Sequence, residues 1–288
     1  MNYTPMMEQY REVKRQHPQD LLMFRLGDFY ELFFDDAELA ARELEITLTS
    51  REAGSGNRVP MCGVPYHAVE GYIARLIAKG YRVAICEQVE DPKLAKGIVK
   101  REVVRIITPG TILYESVLSE RGNNFLVLIA EQEAELGLVA IDISTGECVW
   151  SLYKGADRYA ALLNQLSRLA PAELILTGKL ERWAEVNSFL QTRLANCTLT
   201  TFIAEESAST DELLAKHFSC NDIPAEPVAV IAISRLLQYL HQTLKSDLSH
   251  INRLTRFNPQ DFLLLDGTTL RNLEISRNMR EGGKRGSL

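Results

Sequence analysis

Leu26-Gly27-Asp28-Phe29-Tyr30-Glu31-Leu32-Phe33-Phe34 is the stretch on which the reading of this chain turns. Leu21 to Leu26 and Phe29 to Phe34 read as strands on either side of Gly27-Asp28. Alternate residues of a strand share a face, so Phe29 and Glu31 stand side by side. An aromatic ring that slides between base steps, next to a carboxylate that accepts from a base edge, can test whether a base pair is sound. The same alternation also describes an ordinary half-buried strand, with Phe29 in the core and Glu31 as a solvated carboxylate at a strand edge.

Working outward, Thr4-Pro5 reads as the start of a helix that carries Met6, Tyr10 and Val13 on one face and ends near His17-Pro18. Asp35 to Glu45 reads as a second helix and Ser50 to Pro60 as a polar loop containing Gly54-Ser55-Gly56-Asn57, with Arg51 and Arg58 on it. A helix from about Ala68 to Lys79 ends at Gly80, followed by strands over Tyr81 to Val89 and Glu102 to Ile107. The expected result is a mixed α/β domain over residues 1–114. A polar linker over 115–124 comes next. Three strands then follow (Phe125 to Ala130, Leu138 to Ile143, Glu147 to Tyr153), and after them helices and strands alternate as far as Leu244. The second domain is expected over 125–247. From Asp266 the pattern is helical again, so 248–288 reads as the start of a third, helical domain.

Composition narrows the function classes. The 288 residues are 46% hydrophobic and 24% charged, ordinary globular material with room for about two domains. The net charge of -6 disfavours a generic nucleic-acid binder, but the acid is unevenly spread. Residues 1–110 hold 15 Lys+Arg against 16 Asp+Glu, residues 111–270 hold 12 against 20, and residues 271–288 hold 5 against 2. DNA would avoid the middle segment, and the balanced first segment would attract phosphate only weakly by itself. The five cysteines contain no C-x-x-C pair, so neither a zinc site nor a disulfide framework is indicated, and a reducing cytoplasm fits. No apolar stretch is long enough to span a bilayer, and Met1-Asn2-Tyr3-Thr4-Pro5 is no signal peptide.

Seven ordered blocks together resemble the N-terminal third of the bacterial DNA mismatch-recognition family MutS. They are Thr4 to Tyr10, Leu26 to Phe33, Leu48-Thr49-Ser50-Arg51, Val59 to Ala68, Val83 to Gln88, Val103 to Thr111 and Leu270 to Glu274. The resemblance implies a mismatch-recognition domain, then a connector domain of ribonuclease H-like β-β-β-α-β-α-β-α order, then the start of the lever. It further implies that Phe29 enters the minor groove and stacks at a mispaired or unpaired base, and that Glu31 hydrogen-bonds the displaced base. Arg51, Arg58, Pro60 and Met61 would make flanking groove and backbone contacts. Implied partners are double-stranded DNA with mismatches or small insertion/deletion loops, and a MutL-type protein through the connector. The full-length protein would be a homodimer and this fragment a monomer. ATP and Mg would belong to an ATPase domain beyond this chain, leaving the fragment no cofactor, metal or catalytic residue.

Four other readings compete with this one. Ribonuclease H-like folds often hold metal ions on strand carboxylates, and Asp142, Glu147 and Glu173 are available for a metal-dependent nuclease. Yet the strand Phe125 to Ala130 carries no acid where such enzymes place one. Gly283-Lys284 fails the phosphate-loop template, with Asn278 and Arg285 at two of its required positions. Tyr66-His67 has no nucleophile that spacing places beside it, and a protein-interaction scaffold without mismatch binding stays open.

Overall fold

The structure is a computed structural model that describes residues 3–54, 56–90, 97–114, 123–203, 210–245, 248–258, 269 and 272–273. The linker expected at 115–124 and the helical stretch expected from Asp266 fall almost wholly outside the described residues, as does Gly283-Lys284. Contacts divide the chain into one unit of Met1–Asn123 with Leu240–Asp247, and another of Asn124–Tyr239 with Leu248–Leu288.

The first unit contains α1 (Pro5–Gln16), β1 (Leu21–Leu26), β2 (Phe29–Phe33), α2 (Phe34–Leu44), β3 (Thr49–Gly54) and β4 (Asn57–Pro65). After a 3-10 turn at Tyr66–Ala68 come α3 (Val69–Ala78), β5 (Val83–Gln88) and β6 (Arg101–Ile107). The sheet runs β3-β4-β2-β1-β5-β6, with β1 and β5 parallel and the other neighbours antiparallel. Period-2 alternation splits its residues into two cores. Tyr30, Leu32, Cys62 and Val64 pack with α2 and α3, whereas Phe24, Phe33 and Val59 pack with Met7, Tyr10 and Val13 of α1. The Tyr10 ring anchors α1, standing edge-on to Phe24 at 5.4 Å and to Phe33 at 4.9 Å. Asp36 fixes both layers, because its carboxylate accepts from Lys14 Nζ at 2.8 Å and from the Leu22 amide at 3.0 Å.

One expectation is corrected. Residues 50–60 are not a polar loop but most of a hairpin, β3 and β4, whose register pairs Arg51 with Val59 and Glu52 with Arg58. The turn residues Gly54 (φ 119) and Gly56 (φ 77) adopt left-handed backbone that glycine supplies cheaply. The strands look polar because β3 is the edge of the sheet and, among the described residues of this part, only Ala53 and Val59 are buried.

The second unit contains β7 (Phe125–Gln132), β8 (Glu135–Asp142), β9 (Glu147–Tyr153), α4 (Arg158–Leu169), β10 (Glu173–Leu176), α5 (Trp183–Arg193), β11 (Thr198–Thr201), α6 (Thr210–His217), α7 (Pro227–Leu244) and β12 (Leu254–Arg256). Residues 240–244 at the end of α7 are grouped with the first unit. The sheet order is β11-β10-β7-β8-β9-β12. Antiparallel neighbours β7, β8 and β9 are followed outward by parallel β10 and β11, the ribonuclease H-like arrangement expected from the element order. Two details differ from expectation. β8 starts at Glu135 because Glu133 (φ 50) and Ala134 (φ 63) make a two-residue hairpin turn without the usual Asn-Gly signal. β12 adds a parallel strand to β9 that three residues alone do not announce.

Candidate nucleic-acid interface

Phe29 opens β2 in the interior of the six-stranded sheet, paired with Leu26 on β1 and Pro65 on β4. Its face is the one covered by α1, yet the cover stops short. Phe33 is 1% exposed, whereas Phe29 retains 46%. The turn beneath it is braced from both sides. Arg25 Nε donates to the Gly27 carbonyl at 2.5 Å, the Tyr66 amide donates to the Asp28 carbonyl at 2.9 Å, and the Arg25 guanidinium stacks 4.0 Å from the Tyr66 ring centre. Arg25 also lies 5.4 Å from the centre of the Tyr30 ring on the opposite face. The Tyr30 hydroxyl donates to Glu87, and burial together with that carboxylate pushes the phenol pKa upward. The reading of Phe29 as a core residue therefore does not describe this ring. Neither is Glu31 at a strand edge, since β2 lies between β1 and β4.

Glu31 stands opposite Gly63, and its side chain is 15% exposed. Its Oε2 accepts from Arg51 Nη1, which reaches it from β3, two strands away across β4. A Cβ on Gly63 would sit 3.4 Å from Glu31 Cγ and 3.8 Å from Phe29 Cδ1.

The six residues singled out in the sequence separate into two groups. Pairing register places Phe29, Glu31, Arg51 and Met61 on one face of the sheet, and Arg58 and Pro60 on the other. Arg58 folds back on its own hairpin, donating from Nε to Ser50 Oγ at 2.8 Å and from Nη2 to the Ser50 carbonyl at 2.7 Å. Sequence reasoning missed Arg25 and Gly63, because their importance lies in register and in which side chain crosses which strand, neither of which leaves a local signal.

The acids considered for a metal site have separate duties. Asp142 is buried, with Oδ1 accepting from the Ser144 amide at 2.9 Å and hydroxyl at 2.6 Å, and Oδ2 accepting from the Asn124 amide at 2.9 Å. Glu173 Oε1 accepts from Thr200 and Tyr239 hydroxyls, both at 2.6 Å, inside the second unit. Among the described residues no group of three or more His, Cys, Asp or Glu is placed to hold a metal ion. Nor is any described helix long and apolar enough to cross a membrane. His67 packs edge-on to Tyr66, with ring centres 5.8 Å apart.

Comparison with known families matches the family model for MutS domain I over residues 4–116 and that for MutS domain II over residues 124–252. DNA mismatch repair protein MutS of Desulforamulus reducens is 48% identical across all of this chain, which covers 34% of that relative. The proteins of the same name from Ruminiclostridium cellulolyticum and Symbiobacterium thermophilum are 45% and 46% identical over 99% of the chain, which covers 33% of each. The chain thus spans about a third of the length of the curated relatives it matches. With two successive domain models matching in order and such identity sustained from end to end, the chain belongs to the MutS family and carries its domains I and II.

Proposed function

We propose that the chain supplies mismatch recognition in post-replicative DNA repair, with Phe29 as the intercalating wedge and Glu31 as the acceptor for the displaced base. The observation that carries this reading is a half-exposed Phe29 on the sheet face where α1 seals Phe33, two residues from a carboxylate held by Arg51. Unstacking a base step costs on the order of a few kcal/mol, while stacking a ring on a base returns roughly 1–3 kcal/mol. At sound duplex the two nearly cancel. A mispaired or unpaired base has already lost part of its stacking and pairing, so the same deformation is cheaper there. Glu31 adds selectivity, since a carboxylate near phosphates is costly unless a base supplies it with a hydrogen bond.

Met61 shares the Phe29 face but pairs with Phe33, so its groove contact would fall to one side of the wedge, and Arg58 and Pro60 on the other face are left for backbone contact at the hairpin. Substrates would be duplexes with mismatches or small insertion/deletion loops, gripped by a homodimer. The second unit, which holds most of the acidic excess, suits a MutL-type protein partner better than DNA. ATP and Mg binding would belong to the remaining two thirds of the longer relatives. A nuclease reading is disfavoured because Asp142 spends one oxygen on the Ser144 turn after β8 and the other on the Asn124 amide just before β7.

The test is competitive binding of duplexes with one mismatch or with none by the full-length protein. Phe29→Ala should erase the preference, and Glu31→Ala should lose it chiefly by binding sound duplex better. Equal loss on both duplexes would remove Glu31 from the mechanism.

A further inference from the structure

We propose that Arg51 is a positioning residue for Glu31, acting on mismatch discrimination through that carboxylate rather than through a phosphate of its own. The inference rests on the mismatch-recognition reading above. Two observations support it. Arg51 is committed within the protein, its Nη1 donating to Glu31 Oε2 although its side chain is 39% exposed and other geometries are open to it. Only Oε2 of Glu31 is engaged by the described residues, so the pair anchors one oxygen and presents the other, on the face where Phe29 is exposed.

The physical consequence is orientation. A lone glutamate on a strand samples several rotamers, and its carboxylate would spend most of its time in solvent. With Oε2 tied down by a charge-assisted bond, Oε1 meets an incoming base edge without that ordering cost. The bound guanidinium also offsets part of the repulsion between the carboxylate and phosphates. The site can then bring an acid to DNA without losing the complex.

The experiment is a double-mutant cycle in the full-length protein, with the affinity ratio between mismatched and sound duplex as readout and thermal unfolding as a control for folding. Arg51→Ala should lower the ratio by about tenfold, the worth of one oriented charge-assisted hydrogen bond, and Glu31→Ala should do the same. In the Glu31→Ala background, Arg51→Ala should leave the ratio unchanged. If Arg51→Ala instead weakens both duplexes by one factor in both backgrounds, with the salt slope reduced by about 1, Arg51 is a phosphate contact and the proposal falls. Phe29→Ala separates the two levels. A ratio untouched by that change overturns the mismatch reading and this inference with it, whereas a ratio lost with Phe29→Ala but kept with Arg51→Ala overturns only the role of Arg51.

Discussion

Phe29 and Phe33 share a strand and a face but differ in energetic standing. Phe33 is sealed beneath α1, so Phe33→Ala should cost about 3–5 kcal/mol of folding stability in urea titrations. Phe29 leaves 46% of its surface in water, so Phe29→Ala should cost about 1 kcal/mol or less while removing mismatch preference. A larger stability loss would mean that the ring serves the fold. A second residue-scale effect concerns pH. Burial pushes the Asp20 carboxyl up, but its hydrogen bond with His17 and the adjacent Arg82 guanidinium outweigh that and leave its pKa below the ordinary value. A depressed folded pKa means that the stabilisation is present above the unfolded value, about 3.9, and fades as pH falls through the folded one. Asp20→Asn should therefore cost about 1–3 kcal/mol at pH 7 and progressively less towards pH 3, as read from urea midpoints. A gap that stays constant with pH would refute the assignment.

At the scale of elements, α7 lies against β8 at a point with no room for a side chain. A Cβ on Gly137 would stand 2.7 Å from the Val228 carbonyl oxygen and 3.0 Å from its carbon, both backbone atoms that cannot swing away. Gly137→Ala should lower stability by about 1–3 kcal/mol in chemical denaturation, through displacement of the helix rather than loss of a contact. The hairpin of β3 and β4 matters in a different way. Had residues 50–60 been a loop, Arg51 would have no defined relation to Glu31. As a strand, β3 carries Arg51 on the Phe29 face and Arg58 on the reverse. Alternation was legible around Phe29 because a short run of aromatic and aliphatic residues follows the Gly27-Asp28 turn, and in any such strand residues 29 and 31 share a face. It was not legible in Ser50 to Pro60, where the edge position makes both faces polar.

At the scale of the whole molecule, charge and thiol chemistry give two expectations. The segment that carries Phe29 is electrically balanced, so DNA binding by this chain should show a shallow salt dependence. Fewer than about three phosphate contacts should emerge from log affinity against log salt. A steep slope would point to a basic surface that the described residues do not account for. Of the five free cysteines, Cys62, Cys86 and Cys148 are buried, and burial pushes their thiols up to about 11, 12 and 12. Cys197 is partly covered and likewise pushed up by burial to about 12, whereas Cys220 is exposed. Titration of the native chain with a thiol reagent should thus find one fast group, Cys220, and four slow ones. Additional fast thiols would mean that the cores open readily.

Local chemistry written in the chain was enough to determine the α/β class, the placement of most helices and strands, and the shared face of Phe29 and Glu31. Thr4-Pro5 starts a helix and period-2 alternation faces a strand whatever the rest of the protein does. Tertiary structure alone decided that α1 covers Phe33 yet stops before Phe29, that Arg51 reaches Glu31 across β4, and that Arg58 and Pro60 turn to the opposite face. The reason is that these facts depend on strand order and register between segments distant in sequence, and pairing energy is spread over many residues, none of which names its partner.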